Sequence, residues 1–215
     1  MIARTILVMA GMTEQLEPRV RNWIEASGCP LVHFVAPRVA DLHWEPEKNR
    51  CINIANARNQ ARAMALKKEA THYFFLDDDI VPPPHALYSL ISHSKPAIGG
   101  WFPMKSGSSW VGGRWVADNV FHHYLFPQRS VVKTDLLSLG CALLRRDIVQ
   151  AVEFGPGIDT YCQIMDGTTC HLADSGDFSN KLLDMGIQPY LDGNVICGHL
   201  GVSTRTQPGL TLAAA

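Results

Sequence analysis

The sequence predicts a single α/β domain built on a mixed, mostly parallel central sheet flanked by helices. Three observations carry this reading. Short unbroken apolar runs alternate with amphipathic helical stretches through the first hundred residues, the pattern of β-α-β units joined by right-handed crossovers. Those runs do not alternate polar with apolar, so the strands are expected to be buried on both faces. The second half is more irregular and antiparallel in pattern, which makes the sheet mixed. A chain of 215 residues, 47% hydrophobic and 18% charged, is long enough to bury one core without staples.

Each element follows in order. Thr5–Met9 reads as the first strand and runs into the small-residue loop Ala10-Gly11-Met12-Thr13. Residues 14–26 place Leu16, Val20, Trp23 and Ile24 on one helical face, with Pro18 in the first turn, where a missing N–H costs nothing. Ser27-Gly28 ends that helix, and Pro30–Val35 forms the second strand. Residues 36–50 are polar and irregular. Asn53–Ala70 is the clearest helix, with Ile54, Ala57, Ala61, Met64 and Ala65 as its apolar stripe. Lys67 and Lys68 fall in its last turn, where cations suit the helix dipole. Thr71–Leu76 is the next strand, followed by a short helix through Leu87, Leu90 and Ile91 and a strand over Ala97–Phe102. Trp110–Trp115 suggests a hairpin turning on Gly112-Gly113. Val131–Leu144 contains strand material interrupted by Gly140, Arg145–Phe154 suits a helix, and residues 155–169 form a long loop. Phe178–Met185 reads as a helix closed by Gly186, followed by strands over Gln188–Leu191 and Asn194–Gly198.

The chemistry gathers on one stretch, Tyr73-Phe74-Phe75-Leu76-Asp77-Asp78-Asp79, where a buried strand surfaces in three consecutive carboxylates. In an extended segment Asp77 and Asp79 point one way and Asp78 the other. Carboxylates converging at the edge of an apolar sheet repel unless a cation lies between them, and a divalent metal is the simplest such cation. The bland alternative is a solvated acidic turn before a helix. Net charge is −1, which argues against a broad polyanion-binding surface. No apolar run reaches the length of a membrane span. The six cysteines are scattered without a C-x-x-C pair and read as reduced thiols of a cytoplasmic protein. Cys162, Cys170 and His171 match no standard zinc spacing.

Five stretches in order, ARNQA at 57–61, LDDDIVPPP at 76–84, AIGGWF at 97–102, GCALLRRDI at 140–148 and DFSNKLLDMGI followed by GHLG from 177 to 201, resemble the GT-A-fold glycosyltransferases, especially the nucleotide-sugar transferases related to family 2. The resemblance covers roughly two-thirds of the chain. It implies a Rossmann-like GT-A domain over residues 1–205, with a nucleotide-sugar-binding half at 1–103, an acceptor and catalytic half at 104–205, and a flexible tail at 206–215. It implies a metal-dependent glycosyltransferase that moves a sugar from a nucleotide-diphosphate sugar to an unidentified acceptor hydroxyl.

On that resemblance Asp77 and Asp79 are the ends of a D-x-D motif. Asp79 would hold Mn²⁺ (or Mg²⁺) directly, Asp77 would contact the donor ribose or the metal shell, and His199 would be a further metal ligand favouring Mn²⁺. Ala10, Gly11, Arg58 and Asn59 would line the donor pocket, with Arg58 facing the nucleotide or bracing Asp77. Asp78 adjoins that pocket but is the acid the metal spares. Gly99, Gly100 and Gly140 would let the backbone approach the donor sugar. Either Asp174 or Asp177 would act as the catalytic base, because the family's acidic pair falls on Asp174-Ser175 here, which puts the expected base position on Ser175. An N-terminal acid on a helix is the plain alternative for either. Inverting and retaining chemistry both stay open. His122-His123, Trp110, Trp115 and Tyr124 are candidates for an acceptor-side flap, or for packing. The rival functions are a non-catalytic nucleotide-sugar or carbohydrate-binding protein and a sugar-phosphate nucleotidyltransferase.

Overall fold

The computed structural model describes residues 4–11, 15–35, 46–105, 109–157, 160–163 and 169–201, with the backbone alone at 46–49, 162, 163 and 169–171. The expectations for Met12-Thr13, the tail at 206–215 and the side chains of Cys162, Cys170 and His171 lie outside the described residues.

In chain order the elements are β1 (Thr5–Gly11), α1 (Pro18–Ser27), β2 (Leu31–Val35), α2 (Pro46–Leu66), β3 (His72–Leu76), β4 (Ile80–Val81), α3 (Ala86–Ser92) and β5 (Ala97–Trp101). Then come β6 (Gly113–Ala117), β7 (Val120–His123), β8 (Val131–Lys133), β9 (Cys141–Arg145), α4 (Arg146–Ala151), β10 (Tyr161–Gln163), β11 (Thr169–His171), α5 (Ala173–Asp184), β12 (Tyr190–Ile196) and β13 (Gly198–His199). The main sheet has seven strands in the order β2-β1-β3-β9-β5-β12-β8. β1 pairs parallel with β2 and β3, and β12 pairs parallel with β5. β9 runs antiparallel between β3 and β5, and β8 antiparallel at the edge. The mixed, mostly parallel sheet expected from sequence is therefore present.

Both faces of this sheet are covered, which explains the unbroken apolar runs. Ile6, Val8, Tyr73, Phe75, Ala142 and Leu144 pack one way, against Ala61 and Ala65 of α2, Ile148 of α4 and Phe178 and Leu182 of α5. Their neighbours Leu7, Met9, Phe74, Leu76 and Leu143 pack the other way, against Val20, Trp23 and Ile24 of α1 and Leu87 and Leu90 of α3. The period of two along each strand thus selects between two helix layers rather than between core and water.

Several boundaries differ from the sequence reading. The first helix begins only at Pro18, because Glu17 caps it by accepting from the N–H groups of Arg19 and Val20 at 2.7 and 3.3 Å. The long helix starts earlier, at Pro46, and stops at Leu66. Arg146 meets the carbonyl at its end and two in the segment just beyond: the guanidinium donates to Leu66, Lys68 and Ala70 at 3.4, 3.1 and 3.3 Å. Met64, expected in the buried stripe, is 41% exposed. The β6–β7 hairpin turns on Asp118-Asn119, with Asn119 at φ 59°, and not on Gly112-Gly113, which lead into β6. α5 starts at Ala173, so Asp174 and Asp177 lie within its first turns.

Candidate functional site

A cleft of ≈ 420 Å³ opens where β1 and β3 end. Ligands of open α/β sheets bind beyond the carboxyl ends of strands in this way. Its walls are Ala10 and Gly11 at the end of β1, Asp77, Asp78 and Asp79 after β3, and Lys105 after β5. The remaining wall is one face of α2, formed by Arg50, Asn53, Ile54 and Arg58. Residues 50, 54 and 58 are spaced at i, i+4 and i+8, so a single helical stripe reaches the cleft. Ile54 thereby leaves the core stripe to which its hydrophobicity assigned it.

The three acids do not continue β3 as an extended strand. Asp77 keeps the ladder, its N–H donating to the Gly140 carbonyl at 3.1 Å, and then the chain turns, with the Ile80 N–H donating to the Asp77 carbonyl at 3.2 Å. The simple alternation expected of the three side chains therefore fails. β4 then pairs antiparallel with β13, setting Ile80 opposite His199, and the Leu200 N–H donates to the Asp79 carbonyl at 2.8 Å. This two-strand ribbon carries His199 to Asp79.

The imidazole Nε2 lies 3.3 Å from Asp79 Oδ2, and Nδ1 lies 2.7 Å from the Pro103 carbonyl. A carbonyl can only accept, so Nδ1 carries the proton and Nε2 is the nitrogen turned to the carboxylate. Two electron-pair donors at that separation require a cation between or beside them. The Lys105 ammonium supplies that positive charge, 2.9 Å from the same Asp79 oxygen. Burial alone would raise the Asp79 carboxyl, but the hydrogen bonds and charges of His199 and Lys105 outweigh it and hold the group at about 2. Burial pushes His199 down, and the bonds to Asp79 and to the Pro103 carbonyl more than offset it, leaving the imidazole above its ordinary value. Asp78 moves the other way: half-burial, with Asp79 and Asp77 beside it, raises its carboxyl.

Asp77 belongs to a second cluster. Arg58 is buried and its guanidinium reaches Asp77 Oδ1 at 2.8 Å, while its other terminal nitrogen pairs with the carboxylate of Asp174, itself buried. Arg58 thus braces Asp77 and ties α2 to the start of α5. Asp177 is engaged elsewhere, accepting from the Gly155 N–H at 2.9 Å and pairing with Lys181 at 2.7 Å. Asn59 is also committed elsewhere: its amide donates to the Phe154 carbonyl at 2.8 Å and accepts from the Phe154 N–H at 3.0 Å. Its side chain fastens the segment after α4 and does not line the cleft.

The glycines serve packing. A Cβ on Gly140 would come within 3.0 Å of Asp77 Oδ2 and 2.8 Å of the Phe102 ring, so Gly140 makes room for the acid turn. Gly100 lies inside the sheet, where a Cβ would meet Val195 Cγ1 at 2.6 Å. Three of the flap candidates pack on buried rings: Trp115 on Phe121 at 5.1 Å, Tyr124 on Trp101 at 5.3 Å, and His123 on Phe121 at 5.0 Å. Among the described residues no three His, Cys, Asp or Glu side chains gather as a metal cluster. Asp79 and His199 form a pair, and Asp77 is turned to Arg58.

Sequence reasoning missed Lys105, Arg50 and Asn53. The helical spacing from Arg50 to Arg58 was a usable signal for the last two. Nothing local marks Lys105, which reaches Asp79 only because β5 and β13 end beside each other.

Neither a protein-family model nor a curated protein matches the chain by sequence. Solved structures do. A197 from STIV superposes with a TM-score of 0.63 at 13% identity, over 94% of this chain and 87% of that one. GalNAc-T7, crystallised with UDP, GalNAc and Mn²⁺, superposes with a TM-score of 0.56 at 13% identity, over 92% of this chain and 44% of that one. The fold is GT-A-like. This GT-A-like domain therefore spans less than half the length of the GalNAc-T7 chain. No helix among its described residues is long and apolar enough to cross a membrane.

Proposed function

We propose that the chain is a metal-dependent glycosyltransferase using a nucleotide-diphosphate sugar, with Asp77-Asp78-Asp79 as its D-x-D motif. The observation that carries this is the pairing of His199 with Asp79, an acid that lines the cleft. The donor set suits Mn²⁺ or Mg²⁺: one carboxylate oxygen and one imidazole nitrogen, its tautomer set by the Pro103 carbonyl, face a position already occupied by positive charge from Lys105. The rest of the coordination shell would come from the donor's phosphates and water. A divalent cation held there would neutralise the diphosphate as it leaves.

The chain's own residues supply binding and orientation. Ala10, Gly11, Asn53, Ile54 and Arg50 offer a wall for the nucleoside. Arg58 fixes the Asp77 carboxylate at the edge of the cleft. Asp174 adjoins this cluster through Arg58 and is the better placed of the two late acids to influence an acceptor hydroxyl, while Asp177 organises the Gly155 segment.

A second reading is favoured by one observation. Both late acids are already in ion pairs, so a nucleotide-sugar-binding protein without turnover fits the same cleft. The test is a thermal-shift screen of nucleotide sugars with and without Mn²⁺, followed by a sugar-release assay on the stabilising donor. Binding at a hundred times Kd adds about 2.7 kcal/mol of stability. Mn²⁺-dependent stabilisation by one donor, lost in Asp79→Asn, supports the proposal. Stabilisation without release over days supports the binding protein. No stabilisation by any nucleotide sugar at millimolar concentration ends both.

A further inference from the structure

The geometry points to Lys105 as a built-in competitor for the cation position, a side chain that neutralises Asp79 in the metal-free protein and transfers to the donor's phosphates when that position is taken. This rests on the glycosyltransferase reading of the cleft and adds a mechanism for ordering its ligands.

Three features support it. The Lys105 ammonium and His199 Nε2 address the same oxygen, Asp79 Oδ2, at 2.9 and 3.3 Å. An ammonium has three donors and no lone pair, so it cannot share a metal's coordination shell and is repelled by the ion's charge. Lys105 follows Pro103 by two residues, so the segment that orients the imidazole also delivers the ammonium. Its side chain is 69% exposed on a flexible stem, and it lines the cleft together with Arg50 and Arg58. Displaced from Asp79, it stays within reach of a diphosphate in that cleft. Competition for Asp79 weakens metal binding in the empty protein. A nucleotide that engages Lys105 removes the competitor, so metal and nucleotide each strengthen the other by the same factor.

The experiment measures Mn²⁺ binding to the nucleotide-free protein by calorimetry, then UDP and GDP binding to the Mn²⁺-loaded protein. It compares wild type, Lys105→Met, Lys105→Arg and Lys95→Met. Lys95, whose ammonium lies 4.4 Å above the Tyr190 ring, controls for loss of one positive charge elsewhere. An exposed ion pair is worth a few-fold in an equilibrium constant. Lys105→Met is therefore expected to bind Mn²⁺ about three- to five-fold tighter than wild type, and the preferred nucleoside diphosphate weaker by a similar factor. Lys105→Arg should follow wild type, and Lys95→Met should change Mn²⁺ affinity less than about two-fold. The proposal is overturned if Lys105→Met binds Mn²⁺ no tighter than wild type, or if Lys95→Met tightens it equally. Wild type that binds no Mn²⁺ at millimolar concentration overturns the metal-dependent reading along with it.

Discussion

Replacing Arg58 by methionine tests whether the cleft depends on a buried charge network. The substitution keeps most of the side-chain volume and removes the guanidinium between Asp77 and Asp174. The two carboxylates then fare differently. Asp174, with a side chain 9% exposed, has little water to turn to. Asp77, at 33%, is rehydrated. Removing one partner of a buried ion pair costs about 3–5 kcal/mol, because the other charge is left uncompensated. The half-wet Asp77 contact adds no more than about 1 kcal/mol. Arg58→Met should therefore destabilise the protein by about 3–5 kcal/mol, read as a shift in the urea midpoint by tryptophan fluorescence. Adding Asp174→Leu removes the stranded charge, and the double variant should recover about 2–3 kcal/mol of the loss. A loss below about 1 kcal/mol for Arg58→Met, or strictly additive losses in the double variant, would refute the network.

Two further outcomes are expected. Asn59→Ala leaves the buried Phe154 with an unpaired N–H and carbonyl, so stability should fall by about 1–3 kcal/mol while nucleotide affinity stays the same; an affinity loss without a stability loss would return Asn59 to the donor pocket. In chelator, the stabilising effect of His199 should depend on pH. Its folded value is raised, so the contribution is fully present below the unfolded value of about 6.5 and is lost as pH rises through the folded one. His199→Ala should thus be destabilised by about 1 kcal/mol at about pH 5.5 and progressively less towards about pH 8.5, a trend that differential scanning fluorimetry would contradict if it ran in reverse.

The fold class was legible because strands buried on both faces leave continuous apolar runs, and β1, β3 and β5 are of that kind. Such runs carry no mark of direction. Cys141–Arg145 reads equally well parallel or antiparallel, and its reversed insertion between β3 and β5 follows only from the three-dimensional packing. Local signals were informative where one residue fixes a conformation, as Pro18 and Gly186 do at helix ends. Asp118-Asn119, where the β6–β7 hairpin turns, carries a signal of the same kind, and the sequence reading placed the turn on Gly112-Gly113 instead. In the candidate site, Asp77 to Asp79 and His199 drew attention as residue types in order. The pairing of Arg58 with Asp174, and of Lys105 with Asp79, depends on contacts between distant segments that no periodicity encodes. Asn59 shows the converse: its place in a motif suggested a ligand contact, while its amide answers the backbone of Phe154.

The ribbon between β4 and β13 has a kinetic consequence. His199 and Asp79 are separated by 120 positions, and the contact is made by main-chain pairing of two-residue strands. Closing so long a loop yields little until the intervening sheet has assembled, because its entropy must be offset by contacts already formed. On a ribosome, the acid turn emerges long before its imidazole partner is synthesised. A nascent chain therefore holds Asp79 without His199 until β13 has been made and has paired with β4, so the paired site reports that these two distant segments have met.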